Sequence, residues 1–124
     1  MVTAAAVALG GALGATLRYG ASRFVVSLGG AGFLATALVN IVGAGVLGFL
    51  VGWWASQDVS DSPMRIGLTT GLLGGFTTFS TWVVESAGLW DEGRTMVAAL
   101  NLVAPVLLGI VAVVAGLAIG RAAR

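Results

Sequence analysis

Charged residues are so few, and so spaced, that they cut this chain into four uncharged stretches at 1–17, 24–57, 66–84 and 95–120. Each is close to or longer than the roughly 17–25 residues that cross a bilayer as a helix. In hydrocarbon every backbone N–H and C=O must bond within the protein, so helices are the form such stretches take. The spacing predicts an all-α membrane protein, residues 1–124 as one transmembrane domain, with four helices near Val2 to Val26, Phe33 to Trp54, Met64 to Leu89 and Thr95 to Gly120. A hydrophobic content of 58%, a charged content of 9% and a mean hydropathy of +1.04 place the chain far from the balance of a soluble domain. The first stretch is read as a retained span, because a secretory signal begins with positive charge and here Arg18 and Arg23 come afterwards.

Several function classes are excluded by what is missing. The chain has no Cys and no His, which removes disulfides, thiolate chemistry and the commonest metal ligand. Ser and Glu without His supply no recognisable triad, and GLLGGFTT lacks the lysine of a phosphate loop, so no enzyme is expected. Net charge is +1 and the six basic residues are scattered arginines, which offers nucleic acid no patch. The loops, Ser27 to Gly32, Ser56 to Pro63 and Asp91 to Arg94, are turns too short to hold a domain.

The third stretch is unusual inside. From Gly71 to Trp82 it reads GLLGGFTTFSTW, and a helix in lipid gains nothing from two glycines followed by a run of hydroxyls. A deliberate break in the membrane helix is expected near 74–78. The carbonyls freed there call for a partner, either a bound cation or the hydroxyls of Thr77, Thr78, Ser80 and Thr81. Beyond the break, Thr78, Thr81 or Trp82, and Glu85 recur at helical spacing, as do Phe79 and Trp82. Hydroxyls and aromatic edges are donors without fixed charge, able to hold a small anion at several points and still release it; simple packing of the rings is the competing use. Asn40, mid-span in the second helix, can donate to an anion or to a neighbouring helix, and Asn101 invites the same two readings. Arg18 either lines a vestibule or reaches the headgroups. Glu85 can orient hydroxyls, pair with an arginine or carry protons.

Two patterns bear on assembly. Gly10/Gly14, Gly48/Gly52, Gly67/Gly71/Gly75 and Gly116/Gly120 stand four apart, which suits close helix approach and suggests that copies associate. With four spans, Arg65, Arg121 and Arg124 fall on one side and Arg18, Arg23 and Arg94 on the other. Orientation follows the basic excess, so this tie points toward insertion both ways and an antiparallel pair.

These segments resemble the small fluoride channels of the Fluc or CrcB type, through GGALGATLRYG (Gly10–Gly20), LVNIVGAGVLGFL (Leu38–Leu50) and GLLGGFTTFSTW (Gly71–Trp82). The resemblance implies an antiparallel, dual-topology dimer in the plasma membrane, surrounded by lipid, with fluoride pores along the subunit interface and a central structural sodium ion. Carried over by motif, the backbone carbonyls of Gly74 and Thr77 hold the sodium. Asn40, Phe79, Ser80, Thr81, Trp82 and Glu85 line the fluoride pore, and Arg18 stands at its vestibule. Two residues depart from the family pattern: Trp82 replaces a usual Phe, and Pro105 stands where a hydroxyl-bearing residue commonly follows Asn101. An incomplete polar track of this kind suits one half of a heterodimer with a paralogous chain as well as a homodimer. The competing class is a proton-coupled exporter of organic cations, like the small multidrug transporters. Those rely on a Glu in the first helix, where this chain carries Arg18.

Overall fold

Gly29 and Gly93 end two helices in the same way. Both take positive φ, 83° and 75°, and the next N–H reaches back five residues: Gly30 to the Val25 carbonyl and Arg94 to the Leu89 carbonyl, each at 3.0 Å. Glycine permits this left-handed turn without strain, and the bond closes the orphan carbonyls of the last helical turn. In the computed structural model, which describes residues 1–57 and 62–123, these turns bound α1 (Val2–Ser27), α2 (Gly32–Trp54), α5 (Phe79–Asp91) and α6 (Thr95–Ala122). The core of the expected Ser56–Pro63 turn, and Arg124, lie outside the described residues. Among the described residues there is no strand. Among the described residues three helices, α1, α2 and α6, are long and apolar enough to cross a membrane.

The third apolar interval, near Met64 to Leu89, is divided into several shorter pieces. Pro63 opens a short α3 (Pro63–Ile66), a position where its missing N–H costs nothing. The chain then widens into a π-helix, Gly67–Leu73, tightens into α4 (Gly74–Phe76), and becomes extended at Thr77 (ψ 158°) and Thr78 (φ −151°) before α5 begins. No residue pattern announces the π turn. Its wide backbone is accommodated by contact with α1, where a Cβ added to Gly71 would lie 2.8 Å from the Val7 carbonyl oxygen.

The glycine pairs expected to join copies are occupied within the chain. Gly10 and Gly14 face the backbone of the π-helix and α4, and a Cβ on Gly75 would come within 2.5 Å of the Gly11 carbonyl. On the opposite side a Cβ added to Gly48 or Gly52 would come within 2.5 Å of the Val113 or Leu117 carbonyl oxygen, while Gly116 and Gly120 abut Gly45 and Phe49. The bundle is thus two close-packed layers, α1 on the π segment and α2 on α6, held by van der Waals contact between small residues as membrane helices require. Its large apolar side chains point outward: Leu107 and Val111 are more than half exposed, whereas the buried core contains Ala35, Val39 and Ala98. That inversion of a soluble protein suits a hydrocarbon solvent. At the ends of α2, Arg94 stacks 5.9 Å from the Phe33 ring and Arg65 5.4 Å from the Trp54 ring.

Candidate functional site

The extended pair Thr77–Thr78 determines which backbone groups are free. In an unbroken helix the N–H groups of residues 78 to 81 would bond the carbonyls of 74 to 77. Here the Thr78 N–H donates instead to Asn40 Oδ1 at 2.8 Å, and Asn40 Nδ2 donates to the Thr78 carbonyl at 2.9 Å. An amide side chain is suited to this because it presents a donor and an acceptor side by side, and so pairs with one residue's backbone as a neighbouring strand would. The Thr78 hydroxyl caps α5, accepting from Thr81 N–H at 3.3 Å and donating to Thr81 Oγ1 at 3.1 Å. Thr77 closes the other side, its N–H and hydroxyl both donating to the Leu73 carbonyl. The carbonyls of Gly74 and Thr77 have therefore lost their helical donors to Asn40 and to the Thr78 hydroxyl. The Gly75 carbonyl takes Arg18 Nε at 3.2 Å, so Arg18 reaches into the break rather than out to the headgroups.

A cavity of about 420 Å³ opens beside the break, bounded by Asn40, Gly43, Thr69, Gly74, Thr77, Thr78, Phe79, Trp82 and Pro105 among others. None of the described residues that line it is charged. Phe79 is 73% exposed at its rim, and its ring meets Trp82 edge to face, with centroids 5.6 Å apart and planes at 72°. Asn40, Phe79, Trp82, Gly74 and Thr77 thus converge from α2, α4, the break and α5. Ser80 and Thr81 do not join the lining; they stand exposed on α5. Glu85 lies further along α5 against the first turn of α2, where a Cβ on Gly32 would be 3.8 Å from its Oε1; its Oε2 is buried with no hydrogen-bond partner. The helix N-terminus there favours a negative group.

Asn101 serves helix packing rather than the cavity. It is buried, and its Nδ2 donates to Ser86 Oγ at 2.9 Å, while Ser86 Oγ donates to the Trp82 carbonyl at 2.8 Å. The Trp82 indole Nε1 donates to the Asn101 carbonyl at 2.6 Å. Ser86 was not singled out from sequence, although it falls one helical turn after Trp82, the signal that could have found it. Thr69 was missed as a lining residue because only the π-helix turns it inward.

Such a site can do limited chemistry. It offers carbonyls, an amide, hydroxyls and ring edges with no ionisable group in the cavity wall, which suits weak, reversible contact with small ions and not bond making or breaking.

Known proteins sharpen this. The family described as CrcB-like protein, Camphor Resistance (CrcB), matches residues 5–117. A protein of Methylobacterium nodulans named fluoride-specific ion channel FluC is 40% identical over 121 residues, 98% of each chain. One of the same name from Agrobacterium fabrum is 40% identical over 122 residues, again 98% of each. A third, from Dehalococcoides mccartyi, is 42% identical over 115 residues, 92% of this chain and 88% of that one. Similarity of this extent, running from the first span to the last, places the chain in the CrcB family.

Proposed function

We propose that this protein is a passive fluoride channel that lets the ion leave the cytoplasm through the plasma membrane. The family consists of channels rather than enzymes. The observation that carries the reading is the break at Thr77–Thr78, which opens onto a cavity walled by neutral donors and carbonyls. A small, strongly hydrated anion needs several weak contacts to replace its water and no fixed charge to trap it. Phe79 and Trp82 offer ring edges, Asn40 its amide, and Ser80 and Thr81 hydroxyls along the same helix; Glu85 ends the track and Arg18 gathers anions at its mouth. A negative interior drives a monovalent anion outward with roughly 2.3 kcal/mol per 100 mV, so no fuel is needed.

The carbonyls of Gly74 and Thr77, deprived of helical donors, are oxygens of the kind a hard cation takes, and we assign them a structural sodium ion. One chain supplies two such carbonyls, against roughly six oxygens in a typical hard-cation shell. A second, inverted chain, identical or paralogous, supplies another pair across a two-fold axis, and it also covers the exposed Phe79 rim. The balanced arginines favour that arrangement.

Purified protein in potassium fluoride-loaded liposomes, read with a fluoride electrode, tests the reading. Rapid fluoride release that excess chloride does not slow is expected. Vesicles that retain their fluoride would refute it.

A further inference from the structure

Trp82 and Pro105 meet in the structure at the Asn101 carbonyl. Pro105 lies inside α6 and has no N–H. The carbonyl four residues earlier, that of Asn101, therefore has no helical donor, and the proline ring crowds it out of line. Asn101 is 6% exposed and neighbouring Ser86 2%, so bulk solvent does not serve that oxygen. A buried acceptor without a donor is costly. The donor it has is the Trp82 indole, at 2.6 Å. The Asn101 side chain, Ser86 Oγ and the Trp82 carbonyl close the loop of hydrogen bonds back onto α5.

We propose that Trp82 is a positioning residue: its indole N–H stands in for the backbone N–H that Pro105 removes, fastening α5 to α6 and setting the ring of Phe79 at the cavity wall. Phenylalanine at 82 fills a similar space but cannot donate. A residue other than proline at 105 supplies its own N–H and makes the indole bond redundant, since a carbonyl has two lone pairs. The identities at 82 and 105 are thus one choice, not two. The indole N–H is engaged by protein, so Trp82 presents only its ring to a passing ion. That last step rests on the fluoride-channel reading; the bond itself does not.

A double-mutant cycle of W82F, P105A and W82F/P105A tests the pair, read by thermal melting in detergent and by fluoride efflux from liposomes. With proline at 105, W82F is expected to lower the folding equilibrium and the efflux rate about tenfold, the effect of stripping one buried carbonyl of its donor. With alanine at 105 the same change is expected to shift the folding equilibrium read by melting by less than about twofold. An equal melting penalty in both backgrounds, or none in either, overturns the proposal; an equal penalty in efflux alone overturns the claim that Trp82 presents only its ring. Where W82F cannot be isolated folded, recovery of folded protein on adding P105A supports the pairing and failure to recover overturns it. If the unsubstituted protein passes no fluoride, the channel reading falls and the melting cycle still judges the bond.

Discussion

Replacing Asn40 by alanine removes the side chain that pairs with both backbone groups of Thr78 at the break in the third span. Both backbone groups of Thr78 lose their partners, at 2.8 and 2.9 Å in the structure. Hydrogen bonds between membrane helices average about 0.6 kcal/mol, which sets a floor near 1 kcal/mol for the pair. Backbone groups left without water cost about 1–3 kcal/mol each, which sets a ceiling several times higher. Thr78 is half-buried, so about 2 kcal/mol is the central figure, or roughly 8 °C in melting temperature for a chain of this size. The variant has an escape, because the freed Thr78 N–H can return to the Gly74 carbonyl and restore helical continuity. That repair limits the loss of stability and removes the Gly74 oxygen from the cavity. N40A is therefore expected to melt modestly lower and to conduct at least tenfold more slowly, measured by melting in detergent and by electrode in liposomes. Unchanged melting together with unchanged efflux would refute the account of Asn40 as the brace.

The rim makes the opposite forecast: Phe79 is 73% exposed and packs on Trp82 by one ring edge, so F79A should slow fluoride efflux while shifting stability by no more than about 0.5 kcal/mol in the same assays. At the α2–α6 contact a Cβ on Gly116 would run into the Gly45 carbonyl, and G116V is expected to destabilise by about 3 kcal/mol or more, seen as loss of folded, detergent-extractable protein. Replacing sodium by a large organic cation should weaken association or slow efflux, measured by size-exclusion chromatography and the electrode; indifference to sodium would remove the cation from the assignment.

Much of the helical layout is visible in the spacing of charge. The expected limits of the first, second and last helices fall within two residues of α1, α2 and α6, because whether a stretch tolerates hydrocarbon depends on local composition. Gly74, Gly75 and the hydroxyl run likewise mark where α4 gives way to extended backbone. The candidate site was legible as a set of residue types and not as a set of contacts. Asn40 and Thr78 are 38 positions apart, and only the rotation and register of two packed helices decide that the amide meets backbone. Pro105 shows from sequence that the Asn101 carbonyl lacks a helical donor, but not that an indole from another helix fills the gap.

Residue order alone determined that this chain enters a membrane, roughly where it turns, and that its third span contains groups lipid cannot satisfy, since each follows from the chemistry of neighbours along the chain. Tertiary structure decided how those groups are satisfied. Close packing directed the glycines inward between α1 and the π segment and between α2 and α6, widened one turn, and turned Asn40 and Trp82 toward particular carbonyls. The reason is physical: a hydrogen bond requires about 3 Å and alignment, and those are properties of helices already placed against one another.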